Sequence, residues 1–239
     1  MGLSISKRNK LGTRQDLLTE NVFLFIPNLI GYARIILTLV SFWFMMEDPI
    51  ATSIAYALSA LLDAFDGMAA RYFNQSTKLG ALMDQLTDRV SLMGLVASLS
   101  SLYPEHSFAL LMSMVIDISS HWAHIWATLI RGKASHKLID SSESSILRVY
   151  YTNKTILFIM CAGNEMFYGM LYLLHFYEGV EVPMYDGSSI GAVRLAVYFT
   201  APIGILKALI SLIQLQIACS NFAVIDVSER VSERAAKNH

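Results

Sequence analysis

The sequence predicts an all-α, polytopic membrane protein with six transmembrane helices, preceded by a short cytosolic amphipathic segment. Three observations predict it. The 239 residues are 54% hydrophobic and only 15% charged, against about 25% charged in a soluble domain, and mean hydropathy is +0.47. Six segments reach the roughly 20 apolar residues that cross a bilayer core. Basic residues concentrate in alternate loops. A chain this apolar has too little polar surface to remain in water.

Residues 1–22 form the amino-terminal segment, which carries Lys7, Arg8, Lys10 and Arg14 and lacks the apolar core of a cleavable signal. Met1-Gly2 with Ser6 meets the loose myristoylation pattern. That motif is short, and the segment reads as an ordinary amphipathic start. The spans follow at about 23–46, 50–72, 79–102, 108–131, 154–177 and 190–222, one domain over residues 23–222, with 223–239 as a cytosolic tail. The last span is long enough to bend or to project into the cytosol. Turn chemistry separates them: "EDP" at 47–49, "NQST" at 74–77, "YPEHS" at 103–107, and the acidic stretch 178–189.

Loop charges set the orientation. Arg71 and Lys78 mark the second loop, Arg131, Lys133, Lys137, Arg148 and Lys154 the fourth, and Arg230, Arg234 and Lys237 the tail. The other three loops carry Glu47, Asp48, Glu105, Glu178, Glu181 and Asp186. The positive-inside rule then places both termini in the cytosol. The triplets beginning at Asn74 and Asn153 fall in cytosolic loops and should stay unglycosylated. Cys161 and Cys219 sit in apolar runs and suggest no disulfide framework. A net charge of −1 suggests no nucleic-acid partner.

The second and third spans carry Asp63, Asp66, Asp84 and Asp88. Positions 63, 66, 67, 70 and 71 share one helical face, as do Gly80, Asp84 and Asp88 on the next helix. The short loop makes the two helices antiparallel neighbours, so four carboxylates can converge on one cleft. Arg71 lies at its cytosolic end, with Asp63 about 12 Å deeper. An aspartate at mid-helix costs roughly 2.5–3.5 kcal/mol on insertion scales, and four together repel one another. One or two divalent cations would relieve both penalties. Oxygen ligands without His or Cys favour Mg²⁺ or Mn²⁺. Gly67, Ala70 and Gly80 leave room for a flat or phosphorylated ligand, and Arg71 suits a phosphate. Two rival readings are interhelical salt bridges and an ion pathway. The first needs basic partners, of which these two spans offer only Arg71 and Arg89. The second favours broken helices or repeats, and neither is visible.

The pattern Asp63-x2-Asp66-Gly67-x2-Ala70-Arg71-x8-Gly80-x3-Asp84-x3-Asp88 resembles the signature of the CDP-alcohol phosphotransferase family at every fixed position. The segments "PNLIGYARI", "RGKASHKLID", "LRVYYTNK" and "CAGNEMFY" extend the likeness to the eukaryotic phosphatidylinositol synthases, over about residues 21–222. The resemblance implies transfer of a phosphatidyl group from CDP-diacylglycerol to myo-inositol with release of CMP. It also implies a homodimer whose cleft opens to cytosol and lipid. Asp63, Asp66 and Asp84 would ligate metal, with Asp88 completing a second site or serving as the base. Gly67, Ala70, Arg71 and Gly80 would hold the cytidine diphosphate, with Asn28 and Arg34 near the nucleotide cleft. Two divalent ions would clamp the phosphates, and Asp88, the deepest along its helix, is the expected base. Other acceptors, such as glycerol phosphate or serine, remain the close alternative. A non-catalytic scaffold or ion pathway is the distant one. The expected location is the endoplasmic reticulum membrane.

Myo-inositol is uncharged and needs donors and acceptors. Arg131, Lys133, Ser135, His136, Lys137, Asp140 and Arg148 supply both, although positive-inside charge accounts for the basic ones equally well. The fourth span has its own polar stripe, Asp117, Ser120, His121, His124, Thr128 and Arg131, read as a polar wall for the acceptor cavity rather than a metal site. Glu165 and Lys207 are candidates to pair across the bundle.

Overall fold

The computed structural model describes residues 21–131, 145–185 and 188–237, the side chains of 131, 145 and 146 excepted. A 3₁₀ turn, Val22–Leu24, leads into α1, Ile26–Phe44. Then come α2, Pro49–Tyr72, and α3, Lys78–Leu102. A second 3₁₀ turn, Pro104–His106, opens α4, Ser107–Arg131. Helix α5 is short, Ser145–Thr152, and α6 follows at Lys154–Phe176. A hairpin of β1, Glu181–Pro183, and β2, Ser189–Gly191, precedes α7, Ala192–Lys237.

Long helices thus occupy the places of the six apolar segments. Four stretches are long and apolar enough to cross a membrane: Ile26–Phe44, Pro104–Ile130, Lys154–Phe176 and Ala192–Lys237. Helices α2 and α3 are as long, at 24 and 25 residues, but their aspartates and arginines lower their hydropathy.

The described chain divides into two compact units, residues 21–44 with 50–91, and 45–49 with 92–237. In the first unit the usual inside-out order of a soluble protein is reversed. Ser41, Thr52 and Ser59 are buried, while Ile36, Leu39 and Trp43 are exposed. Small and hydroxylated side chains let helices approach closely in lipid, where apolar residues gain nothing from hiding. Ser59 Oγ donates to the Arg34 carbonyl at 3.1 Å and lies 3.1 Å from Thr38 Oγ1, tying α2 to α1.

In the second unit α7 packs against both α4 and α6. A Cβ at Gly163 of α6 would come 2.8 Å from Ile203, and one at Gly204 of α7 would come 2.8 Å from Phe167. Each glycine therefore seats a large side chain of the opposite helix. Buried tyrosines find polar partners, Tyr168 Oη donating to Ser113 Oγ at 2.9 Å and Tyr172 Oη to the Met45 carbonyl at 2.7 Å.

Three features depart from the sequence reading. Glu181–Pro183 and Ser189–Gly191 pair antiparallel, with Val182 opposite Ile190, where a loop is expected. A Cβ at Gly191 would stand 2.3 Å from the Glu178 carbonyl, so only glycine admits this backbone approach. Helix α5 is also unexpected. Its eight residues are too few for a periodic signal, and it is held by burial of Leu147 and Tyr150 against Met160 and Ile210. Asn153 then caps α6, its Oδ1 accepting from the amides of Thr155 and Ile156. Finally, α7 runs unbroken for 46 residues through Pro202.

Candidate active site

Asp63 and Asp66 project from α2, and Asp84 and Asp88 from α3, around one side chain of α1. Arg34 is almost fully buried, its side chain 3% exposed. Its Nη1 lies 2.7 Å from Asp63 Oδ1, 2.9 Å from Asp66 Oδ2 and 2.8 Å from Asp84 Oδ1. Its Nη2 donates to Asp88 Oδ1 at 2.6 Å. The sequence reading counts only Arg71 and Arg89 as basic partners and misses this one. An arginine in the middle of an apolar span is itself a signal, because such a charge must find a carboxylate.

Arg34 alone does not balance the site. Four carboxylates against one guanidinium leave a formal charge of −3. Nη1 carries two protons, which go to Asp66 and Asp84, so Asp63 gains an ion pair without a proton. Oxygen atoms of Asp63, Asp66 and Asp84 lie within 4.8 Å of one another, the one such group among the described residues. An all-carboxylate set with unbalanced charge, already gathered about one cationic nitrogen, fits a hard divalent ion. Asp88 stands outside this group of three, on the other guanidinium nitrogen.

A cavity of about 180 Å³ adjoins the cluster, and Asn28, Asp66, Gly67, Ala70, Gly80 and Asp84 contribute to its wall. The structure thus gathers there most of the residues expected to hold the nucleotide. Arg71 is exposed, and its Nη1 would lie 3.6 Å from a Cβ at Gly67, so the guanidinium reaches over that glycine.

Local sequence explains how the wall forms. Asn74 adopts the left-handed region at φ 53° and ends α2. Gln75 Oε1 accepts from the Ile26 amide at 3.0 Å, fastening this loop to the start of α1. Thr77 Oγ1 accepts from the Gly80 amide at 2.9 Å and caps α3. Asn28 Nδ2 donates to the Val22 carbonyl at 2.7 Å, which fixes the amide. Its Oδ1 then lies 2.9 Å from where a Gly80 Cβ would be. Gln75 and Thr77 were not among the expected site residues, although "NQST" reads as a turn.

Residues 24–181 match the CDP-alcohol phosphatidyltransferase family. The chain belongs to that family. Among its relatives, the human CDP-diacylglycerol–inositol 3-phosphatidyltransferase is 49% identical over 90% of this chain and 99% of that protein. The Drosophila melanogaster protein of the same name is 46% identical, over 90% of this chain and 92% of its own. That of Saccharomyces cerevisiae is 44% identical over 67% and 73%. No solved structure matches the chain. As a member of the CDP-alcohol phosphatidyltransferase family, it places Gly67, Gly80, Asp66 and Asp84 on one cavity wall.

The polar stripe of α4 behaves differently. His121 Nδ1 lies 2.7 Å from the Asp117 carbonyl oxygen and 3.4 Å from its carboxylate, whereas the His124 ring stacks on Tyr151. Lys207 is buried, with Nζ 5.6 Å from the centre of the Tyr150 ring. Of the expected acceptor residues, Arg148 is described in full and Arg131 in its backbone. Ser135, His136, Lys137 and Asp140 lie outside the described residues, as does Lys133.

Proposed function

We propose that this integral membrane protein transfers the phosphatidyl group of CDP-diacylglycerol to myo-inositol, giving phosphatidylinositol and CMP. The observation that carries the reading is the carboxylate cluster around Arg34, set beside a cavity walled by Gly67, Ala70 and Gly80. The relatives named for this reaction, matching 90% of the chain, supply the substrates.

Asp63, Asp66 and Asp84 would hold divalent metal, for which Mg²⁺ and Mn²⁺ suit the donor set, and Asp88 on the other guanidinium nitrogen is left to act as base rather than to complete a second metal site. When bound, such ions neutralise the diphosphate and stabilise the departing phosphate oxygen. Gly67 and Gly80 lack side chains and let the nucleotide approach the helix backbone. Asn28 helps to wall the cavity, Ala70 keeps it open and Arg71 pairs with a phosphate at the rim. Asp88 takes the proton of the attacking inositol hydroxyl. The hydroxyl oxygen bonds to the phosphorus that bears diacylglycerol. The bond from that phosphorus to the CMP oxygen breaks, and CMP leaves with the electron pair. Arg34 holds the carboxylates in place throughout.

The same reading takes α2 and α3 as spans alongside the four apolar stretches, six in all. The site and both termini face the cytosol, in the endoplasmic reticulum, and two copies associate. Loop charge supports the orientation, and the family resemblance supports the dimer. Arg148 of α5 would contact the acceptor, and the sequence assigns the same role to Arg131, Ser135, His136, Lys137 and Asp140.

The deciding experiment incubates purified protein with CDP-diacylglycerol and each of several alcohols. CMP release that requires inositol supports the proposal. Release with glycerol phosphate or serine instead redirects it to another acceptor, and no release with any alcohol overturns it.

A further inference from the structure

One guanidinium nitrogen serves three carboxylates. Nη1 of Arg34 lies 2.7 Å from Asp63 Oδ1, 2.9 Å from Asp66 Oδ2 and 2.8 Å from Asp84 Oδ1. These are the three residues proposed above as metal ligands. Mg²⁺ binds oxygen at about 2.1 Å. With the longest of the three contacts at 2.9 Å, an ion on any of these oxygens would stand within about 5 Å of Nη1. Two cations so close repel strongly where water is sparse. The Nη1 protons, moreover, already go to Asp66 and Asp84.

The side chain is placed so that it can yield. Nη2 donates to Asp88 Oδ1 at 2.6 Å, outside the group of three. Nε is buried and has no hydrogen-bond partner among the described residues, so nothing at that atom resists rotation of the guanidinium. The backbone is fixed instead, because Ser59 Oγ donates to the Arg34 carbonyl at 3.1 Å. The Asp63 and Asp84 side chains are 44% and 48% exposed, against 3% for Arg34. Both carboxylates are therefore open to an ion from solvent. A divalent ion brings twice the charge of a guanidinium to the same oxygens, but it must first shed water. The two effects oppose each other, which keeps the exchange reversible.

We infer that Nη1 of Arg34 and a divalent ion are alternative occupants of the Asp63, Asp66 and Asp84 group, so that metal loading is a cation exchange. The inference rests on the metal assignment proposed above and adds a competitor to it. Nη1 keeps the carboxylates gathered until an ion arrives, which spares the bundle a cluster of unpaired charge. On loading, Nη1 moves aside while Nη2 stays on Asp88. Arg34 thus still braces the cluster, and Asp88 keeps a cation beside it rather than joining the metal. The apparent metal affinity is weakened by the bonds that Nη1 surrenders.

The test measures metal binding, without turnover, on the full-length protein in lipid nanodiscs. Electron paramagnetic resonance reads Mn²⁺ affinity for wild type and for Arg34→Gln. Removing the competitor should tighten binding about tenfold or more, the worth of one hydrogen bond between charged groups. Adding Asp66→Asn should cancel that gain, which ties it to this group. A second measurement uses wild type, its arginine side chains labelled with a heavy nitrogen isotope for magnetic resonance. The resonances missing from Arg34→Lys identify Arg34. Saturating Mg²⁺ should shift Nη1 and leave Nη2 near its starting position.

Equal or weaker Mn²⁺ binding by folded Arg34→Gln overturns the inference and makes Arg34 an organiser of the ligands. So does an Nη1 resonance unmoved by saturating Mg²⁺, which decides the matter alone where Arg34→Gln does not fold. A gain that survives the addition of Asp66→Asn places the metal elsewhere and also overturns it. Mn²⁺ binding by neither wild type nor Arg34→Gln removes the metal assignment itself, and the inference with it.

Discussion

Arg34 meets Asp88 through Nη2, at 2.6 Å, while Nη1 gathers Asp63, Asp66 and Asp84. The two nitrogens of one guanidinium thus sort the four carboxylates into three and one. That division separates the residue proposed as base from those proposed as ligands.

The Asp88→Asn variant should therefore keep its affinity for CDP-diacylglycerol and lose about 10²–10⁴-fold in turnover, the usual cost of removing a general base. Donor binding and inositol-dependent CMP release must be followed separately. Turnover within about tenfold of wild type would remove Asp88 from proton transfer, and a joint fall in donor affinity and metal response would make it a ligand.

For Asp66→Asn and Asp84→Asn the expectation is different. Each removes a member of the three-oxygen group, so divalent affinity should fall by about 10–100-fold and transfer should be abolished. Metal titration of activity, with membrane insertion checked in parallel, reads both. Near-normal rates at saturating Mg²⁺ or Mn²⁺ would refute the metal assignment.

Arg34→Gln strips the cluster of its built-in cation. Leaving buried charge without its partner costs about 3–5 kcal/mol, and the value here should sit at the low end because Asp63 and Asp84 are nearly half exposed. The variant should unfold at lower temperature, and Mn²⁺ should restore more of the lost stability than it adds to wild type. Thermal unfolding with and without Mn²⁺ tests this, and a variant as stable as wild type without metal contradicts it.

Gly80→Ala places a methyl group 2.9 Å from Asn28 Oδ1 and 3.2 Å from Thr77 Oγ1. Overpacking of this kind costs about 1–3 kcal/mol. Because it displaces the cavity wall, the loss should fall on donor KM, while inositol KM stays near wild type. The reverse pattern would show that the wall does not hold the nucleotide.

Orientation is tested with single cysteines in a background lacking Cys161 and Cys219. A cysteine at Ser76 should react with an impermeant reagent only from the cytosolic side, and one at Ser188 only from the opposite side. Both positions are exposed. Labelling of the two from the same side contradicts the six-span count.

The long helices were legible because apolar runs and turn residues alternate along the chain. The shared face of Asp84 and Asp88 followed from their spacing. Arg34 was harder, since spacing orders residues on their own helix and says nothing of which neighbour a helix turns toward. Its bridging role belongs to the packing of α1 against α2, fixed by Thr38 and Ser59. The three-residue strands β1 and β2 and helix α5 are too short to carry a period. The extension of α7 beyond 222 was hidden by its charges, which end the apolar run without ending the helix, because Ala, Glu and Arg remain good helix formers.

That extension has a mechanical consequence. A helix of 46 residues rises about 69 Å, more than twice the roughly 30 Å of bilayer hydrocarbon. Its buried stretch, with Gly204 locked against Phe167, acts as the clamped end of a beam. The turns bearing Glu229, Arg230 and Glu233 form the free end. A fluorophore or fusion joined at Lys237 would ride on a stiff arm rather than a tether, and its reorientation would report tilting of the clamped helix directly.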